Sequence, residues 1–374
     1  MRLKKLIEHT PDLEVKGSKE VEVTGLCANS TLVAPGNLFI AKKGRTHDGT
    51  HFIPDAVASG ATCVLTDMFD PFLHVTQLIH PHVAEIEAKL AAKYYHDPSF
   101  ELKMIGVTGT NGKTTTSYLI KHMLDKAHLL TGLIGTIEWI VGDHHLPGSL
   151  TTPGVITNHK LLREMVGAKC GAAVMEATSH GLDQNRLGEI DFDVALFTNL
   201  SPEHLDYHHD MEQYRLAKEK LFQGLSEDKW AIFNADDKAI FTTRAKMFTF
   251  GIHKPADLMA KQVQLSDKKI QFLACFQGKE CLCKSPLIGE FNVYNLLAAI
   301  AVGLCSGLTL EECVSYMKSI KGVPGRLEKV KNGRGLNIFV DFAHTEDALA
   351  NVLKTLSSVK QGKLITVFGC GRDR

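Results

Sequence analysis

The chain has 374 residues, 44 % hydrophobic and 22 % charged, with 42 Lys+Arg against 42 Asp+Glu. That length can bury a large core and predicts two or three domains, while the composition is that of an ordinary globular protein. Balanced charge argues against a polyanion partner, so neither nucleic acid nor an anionic membrane surface is expected as a ligand.

Met1-Arg2-Leu3-Lys4-Lys5-Leu6-Ile7-Glu8 contains no apolar core of signal-peptide length. The longest apolar stretch, Leu296 to Leu304, is shorter than the about 20 residues a membrane span needs. A cytoplasmic protein is expected. The nine cysteines are scattered among apolar neighbours; Cys281 and Cys283 flank one residue, but no second pair follows at zinc-like spacing. Free thiols in a reducing compartment fit this usage.

From Glu20 to Leu65, short β-like runs (Val21-Glu22-Val23, Leu38-Phe39-Ile40-Ala41, Cys63-Val64-Leu65) alternate with turn residues, which predicts a small α/β domain. A helix is predicted over His82 to Tyr95, with apolar residues at Val83, Ile86, Leu90 and Tyr94. His96-Asp97-Pro98-Ser99 breaks it and sets a boundary, giving domains 1–98 and 99–324.

Lys103 to Thr116 then reads as a buried strand, a glycine-rich turn and the first turn of a helix, which together form a phosphate cradle. Gly106, Gly109 and Gly112 allow a sharp backbone turn whose N–H groups point at an anion, and the helix after Lys113 adds the positive end of its dipole. Lys113 would reach the terminal phosphates, and the Thr114 hydroxyl would hold Mg²⁺. The spacing is a variant, because Val107 stands where the outer glycine usually falls and Gly106 sits one place earlier.

Beyond the cradle, apolar runs repeatedly end on a polar residue. Ala172 to Met175 ends on Glu176, Val194 to Phe197 leads to Thr198 and Asn199, and Trp230 to Phe233 ends on Asn234. Such runs suit central strands of a parallel sheet, whose carboxyl ends gather ligands, so Glu176, Asn199 and Asn234 are expected to face the crevice that holds Lys113. The Lys261-to-Lys269 stretch reads as an excursion on the sheet edge. Helices are predicted over Phe291 to Cys305 and Leu310 to Ile320, the second with Glu311 and Glu312 in its first turn. After a linker at Lys321 to Gly325, strands over Leu336 to Phe342 and Leu364 to Phe368, with a helix from Asp347 to Leu356, begin a third unit, 325–374. Two strands and a helix are too few for an independent core, so this unit is expected to be incomplete.

Glu176, followed by Thr178, Ser179 and His180, could share the Mg²⁺ of Thr114, or be a solvated or helix-capping acid. Leu200 to Asp210 is dense enough in potential ligands to suggest a second ion around His204, while His208 and His209 taken singly read as surface residues. Lys218 lies on a helical stretch where an exposed lysine is the plain reading. Thr151-Thr152-Pro153 and Gln184-Asn185-Arg186 can offer hydroxyls, amides and a guanidinium to an anion, or simply be turns. Asp341, His344 and Asp347 group at a strand-to-helix junction, where ligand-facing loops occur.

As a set, Thr108-Gly109-Thr110-Asn111-Gly112-Lys113-Thr114-Thr115, Thr151-Thr152-Pro153, Glu176 to Leu182, Asn199 to Asp206, Phe291 to Asn295, Gly325 to Glu328 and Asp341 to Thr345 resemble the Mur ligases, in that order. The resemblance runs over nearly the whole chain and implies an ATP-dependent ligase that joins UDP-MurNAc-L-Ala-D-Glu to a third amino acid, meso-diaminopimelate or L-lysine, in peptidoglycan precursor synthesis. It implies a UDP-substrate domain, a central P-loop ATPase domain with a parallel sheet and the start of a truncated Rossmann-like C-terminal domain, in a monomer. By resemblance, Ser30, Thr46 and His47 hold the nucleotide sugar, and Thr151, Thr152, Thr178, Ser179, Gln184 and Arg186 its muramoyl-dipeptide part. Gly109 to Thr115 hold ATP, Asn292 and Asn295 approach the adenine, and Arg326, Asp341 and His344 close over the nucleotide.

Two Mg²⁺ ions are implied, with Thr114, Glu176, His204 and Lys218 as ligands, and Lys218 matches a carbamylated lysine of the family. Lys113, Glu176, His204 and Lys218 form the implied catalytic set. Leu150 and Thr178 depart from the family's commoner residues, and the family's C-terminal domain continues past Arg374, so the chain is expected to lack the region that selects the amino acid. A folylpolyglutamate-synthetase-like ligase and a nucleotide-binding regulatory protein without turnover are the alternatives.

Overall fold

A computed structural model describes residues 1–10, 12–44, 48–239, 241–360 and 362–369. Thr46 and His47 lie outside the described residues. The chain is a mixed α/β protein that divides into two compact units, one of residues 1–101, 153–167 and 180–191, the other of residues 102–152, 168–179 and 192–374. Segments 153–167 and 180–191 thus cluster with the N-terminal residues, although in sequence they fall inside 99–324.

The first unit holds β1 (Glu14–Lys16), β2 (Gly25–Cys27), β3 (Asn37–Ile40), β4 (Cys63–Thr66) and β5 (Thr76–Ile79), in the order β1-β5-β4-β3-β2. All neighbours run parallel except β1, which is antiparallel to β5. The unbroken apolar runs of β3 and β4 follow from burial on both faces. Alternate side chains serve the two faces: Leu38, Ile40, Cys63 and Leu65 pack with Val83, Ile86 and Leu90 of the helix Val83–Tyr94. Phe39, Ala41 and Val64 pack with Ile53 and Ala56 of the helix Ile53–Ala58.

The second unit is built on eleven strands: β6 (Lys103–Thr108), β7 (Thr131–Ile134), β8 (Glu138–Val141), β9 (His144–Pro147), β10 (Ala172–Glu176), β11 (Val194–Phe197), β12 (Trp230–Asn234), β13 (Lys246–Gly251), β14 (Leu258–Leu265), β15 (Ile270–Phe276) and β16 (Lys279–Ser285). Their order is β16-β15-β14-β13-β12-β11-β6-β10-β7-β8-β9. From β14 across to β7 the strands run parallel, and both margins are antiparallel hairpins. The chain leaves β6 for β7 on one side, returns to β10 beside β6, then crosses to β11 on the other side. The carboxyl end of β6 is therefore a switch point, where an open α/β sheet forms a ligand crevice.

The helices Lys113–Lys126 and Phe291–Cys305 share one apolar core with this sheet, which buries Leu119, Ile120 and Met123 of the first and Leu296 to Val302 of the second. The helix Leu310–Tyr316 begins with a capping box in which Thr309 and Glu312 satisfy each other's backbone N–H groups.

The C-terminal part departs from the strands expected there. A hairpin of β17 (Glu328–Val330) and β18 (Ile338–Val340) replaces the longer strand over Leu336 to Phe342, and Leu364 to Phe368 forms no strand. Its apolar side chains are open to solvent, with Val367 93 % exposed. A β-like run becomes a strand only beside an edge that pairs with it, and among the described residues this run has none. The helix Glu346–Val359, capped by the Thr345 hydroxyl, spans the helix expected from Asp347 to Leu356.

Candidate active site

The loop after β6 is held open by two glycines that nothing larger could replace. Gly109 has φ +146° and a Cβ there would lie 2.0 Å from Thr198 Oγ1; Gly112 has φ +87° and a Cβ would lie 2.4 Å from Asn295 Oδ1. Asn199 braces the loop from the end of β11: its Oδ1 accepts from Asn111 N at 2.9 Å, its Nδ2 donates to Asn111 O at 3.0 Å, and its carbonyl accepts from Thr110 N at 2.8 Å. Asn234 Nδ2 donates to Thr198 O at 2.9 Å, which extends the brace to β12.

Lys113 curls back on the loop, and its Nζ donates to Gly109 O and Thr110 O, both at 2.9 Å. Burial of the ammonium end lowers its pKa, against the opposing pull of Glu203 and Glu176.

Glu176, 1 % exposed at the end of β10, is the hub of the crevice. Its carboxylate accepts from Thr114 Oγ1 at 3.0 Å, Thr136 Oγ1 at 2.9 Å and Thr136 N at 2.9 Å. Thr152 Oγ1 donates to the Glu176 carbonyl at 2.6 Å and lies 2.9 Å from Thr178 Oγ1, while Thr151 Oγ1 lies 3.1 Å from Thr136 Oγ1. Thr152 thus reaches the Glu176 backbone and links it to Thr178, while Thr151 reaches the carboxylate only through Thr136. Ser179 is buried beside them at the start of the helix Ser179–Asp183.

Lys218 overturns the exposed-lysine reading. It is 1 % exposed, lies 4.3 Å from the centre of the Tyr214 ring and donates to Gly109 O at 2.9 Å, the carbonyl that Lys113 also uses. Burial and the neighbouring Lys113 charge hold its pKa well below the usual lysine value.

His204 stands at φ +58° ahead of the short helix Leu205–His208, and burial lowers its pKa against the opposing pull of Glu203. Glu203 Oε1 lies 3.7 Å from His204 Nε2 and 3.5 Å from His344 Nε2. Burial pushes the Glu203 carboxyl up, but the His344 hydrogen bond and the Lys113 charge outweigh it and bring it down to about 2. The surface reading of His208 also fails: it is 5 % exposed, with its ring packed between Tyr207 and Tyr214. His209 is exposed.

Among the described residues no group of three His, Cys, Asp or Glu side chains could hold a metal by itself. Mg²⁺ asks for less, being bound by one or two carboxylates with waters and substrate phosphates. The buried Glu176 carboxylate and the Thr114 hydroxyl bonded to it fit that requirement.

A cavity of 530 Å³ opens beside the loop, lined by Asn111, Gly112 and Thr115, by Asn292, Tyr294 and Asn295, and by Arg326, Asp341 and His344. Asn292 and Asn295 are nevertheless engaged internally: Asn295 Nδ2 donates to Asn292 Oδ1 at 2.9 Å, Asn292 Nδ2 to Ile288 O at 2.8 Å, and Asn295 Oδ1 accepts from Thr116 at 3.2 Å. Arg326 Nη2 donates to Thr114 Oγ1 at 3.0 Å and its guanidinium lies over Phe342; Asp341 accepts from Leu327 N at 2.6 Å and Ala343 N at 2.7 Å.

In the first unit, Ser30 begins a single 3₁₀ turn capped by Asn29, and Gln184 Oε1 accepts from Arg186 Nε at 3.0 Å and Nη2 at 2.6 Å. Thr136 was missed from sequence. Its only signal is the Gly135-Thr136 pair directly after the buried run of β7, a pattern shared with many turns.

Three family profiles cover the chain in succession: "Mur ligase family, catalytic domain" over residues 22–97, "Mur ligase middle domain" over 107–303 and "Mur ligase, glutamate ligase domain" over 325–374. A Chlamydia caviae protein described as UDP-N-acetylmuramoyl-L-alanyl-D-glutamate–2,6-diaminopimelate ligase is 42 % identical over 383 residues, covering all of this chain and 79 % of that protein. A Bacillus cereus protein of the same description is 38 % identical over 385 residues, covering all of this chain and 78 % of that protein. A solved structure of that description superposes with a TM-score of 0.81 at 29 % identity, over all of this chain and 77 % of the other. With its parallel sheet, its glycine-dependent loop after β6 and three family profiles in succession, the chain belongs to the Mur ligase family.

Proposed function

We propose that the chain catalyses ATP-dependent amide bond formation between UDP-MurNAc-L-Ala-D-Glu and 2,6-diaminopimelate, the reaction for which its relatives at 42 % and 38 % identity are named. The observation that carries this reading is the meeting of Lys113, Thr114, Glu176 and Lys218 around one loop, with the Thr151-Thr152 pair joined to Glu176. The D-glutamyl carboxylate attacks the γ-phosphate of ATP; ADP leaves and an acyl phosphate forms. The diaminopimelate amine then adds to the acyl carbon, and phosphate leaves as the amide closes.

Both reactants in the first step are anions. Lys113 and the N–H groups of residues 109–115 offset their repulsion and the charge that develops in transfer. Thr114, Glu176 and His204 would hold Mg²⁺, which would supply further charge neutralisation. Arg326, Asp341 and His344 close over the nucleotide, and Asn292 and Asn295 approach its adenine. Ser30, Thr46 and His47 hold the nucleotide sugar, while Thr151, Thr152, Thr178, Ser179, Gln184 and Arg186 hold the muramoyl dipeptide.

Lys218 acts as a carbamate. Its depressed pKa leaves a neutral amine, which adds to CO₂ and releases one proton, turning a buried cation into a carboxylate-like metal ligand.

The reading is tested by phosphate release from ATP with UDP-MurNAc-L-Ala-D-Glu, with and without diaminopimelate or L-lysine. Release that needs both the dipeptide and diaminopimelate is expected. Release with lysine alone would reassign the amino acid, and nucleotide binding without any release would support the regulatory alternative.

A further inference from the structure

Thr136 touches three of the groups placed in the reaction, yet no sequence motif pointed to it. It lies two residues beyond β7, whose Ile134 pairs with Met175 of β10. That register brings the Thr136 backbone N–H to Glu176 Oε1 at 2.9 Å and its hydroxyl to Glu176 Oε2 at 2.9 Å, one donor on each oxygen. The approach is possible because residue 135 is glycine; a Cβ there would stand 2.3 Å from Glu176 Oε1. On its other side the Thr136 hydroxyl meets Thr151 Oγ1 at 3.1 Å and Thr114 Oγ1 at 3.4 Å.

We infer that Thr136 is a positioning residue that sets the plane of the Glu176 carboxylate for the metal and links it to the Thr151 hydroxyl on the acceptor side. The inference rests on the ligase reading above. A carboxylate held by one N–H on one oxygen and one O–H on the other cannot rotate about its terminal bond without losing both bonds. Its remaining lone pairs then point in fixed directions, and partners of this kind typically change metal affinity 10- to 100-fold. The Thr136 hydroxyl has a single proton. Donated to Glu176, it leaves the oxygen lone pairs to accept from Thr151, so occupation of the acceptor side changes the bond that orients the metal carboxylate.

The test measures binding of a fluorescent ADP analogue to the full chain as a function of Mg²⁺, for the wild type, Thr136→Ala, Thr136→Val and Thr136→Ser, with each thermal midpoint recorded. Thr136→Ala and Thr136→Val are expected to raise the Mg²⁺ concentration for half-maximal binding about 10- to 100-fold, with little change in binding of the analogue without metal. Thr136→Ser, which keeps the hydroxyl, is expected to stay within about 3-fold of wild type, well inside that range. Thr136→Val keeps the shape without the hydroxyl, so a loss there at an unchanged midpoint separates positioning from packing. Unaltered Mg²⁺ dependence in both hydroxyl-free variants, or a serine variant as impaired as alanine, overturns the inference while leaving the ligase reading intact. Metal-independent binding by the wild type overturns both.

Discussion

Lys113 and Lys218 both donate to Gly109 O, and that shared carbonyl ties their predictions together. Replacing Lys113 with alanine removes the charge proposed to neutralise the transferring phosphoryl group, and a loss of about 10²- to 10³-fold in kcat is expected in steady-state phosphate release. For Lys218, depletion of CO₂ is expected to reduce activity and bicarbonate to restore it, whereas Lys218→Ala stays inactive at any bicarbonate concentration. The sign of its pH dependence follows from the lowered pKa. Between that value and 10.5 the unfolded chain holds a proton the folded chain lacks, so this group adds stability as pH rises.

Glu203 acts in the same sense, in an acid window. Its carboxyl is brought from 4.5 down to about 2 in the fold, so its contribution is complete above pH 4.5 and is lost as pH falls towards 2. Glu203→Gln is expected to cost about 1–3 kcal/mol at neutral pH and to flatten the acid limb of a urea-midpoint profile.

At the scale of elements, the helix Phe291–Cys305 shows how closely the core is fitted. A Cβ on Gly303 would meet Cys313 Sγ at 2.6 Å and Met123 at 2.8 Å, the point where three helices pack. Gly303→Val is therefore expected to lower the urea midpoint by the equivalent of about 1–3 kcal/mol, while the metal dependence of nucleotide binding in the surviving folded fraction stays unchanged. The periodic apolar residues made this helix and the central strands readable in advance, because a stripe of Leu, Ile, Val and Ala has few ways to be buried. His208 was misread for the complementary reason: one polar ring carries no period, and only the packed Tyr207 and Tyr214 show that it is interior.

The molecule as a whole comprises two compact units, and both tryptophans, Trp139 and Trp230, lie in the second. Tryptophan fluorescence therefore reports unfolding of the second unit alone. Mg²⁺ with ADP at about 100 times its Kd is expected to add about 2.7 kcal/mol to that unit. Its fluorescence midpoint should then rise by roughly 5–11 °C. Far-ultraviolet circular dichroism, which sees both units, is expected to shift over only part of its amplitude. A uniform shift of the whole signal would mean that the units unfold as one.

What the sequence determined by itself was local: β-like runs ending on Glu176, Asn199 and Asn234, the Gly112-Lys113-Thr114 junction, and the acidic first turn at Glu311 and Glu312. Each is a property of neighbouring residues, so period and turn chemistry suffice to read it. Only the tertiary structure decided which strand lies beside which, and with that order came the Thr136–Glu176 clamp, the burial of Lys218 under Tyr214, the grouping of segments 153–167 and 180–191 with the N-terminal residues, and the failure of Leu364 to Phe368 to become a strand. These depend on contacts between residues far apart in the chain, which no local pattern records.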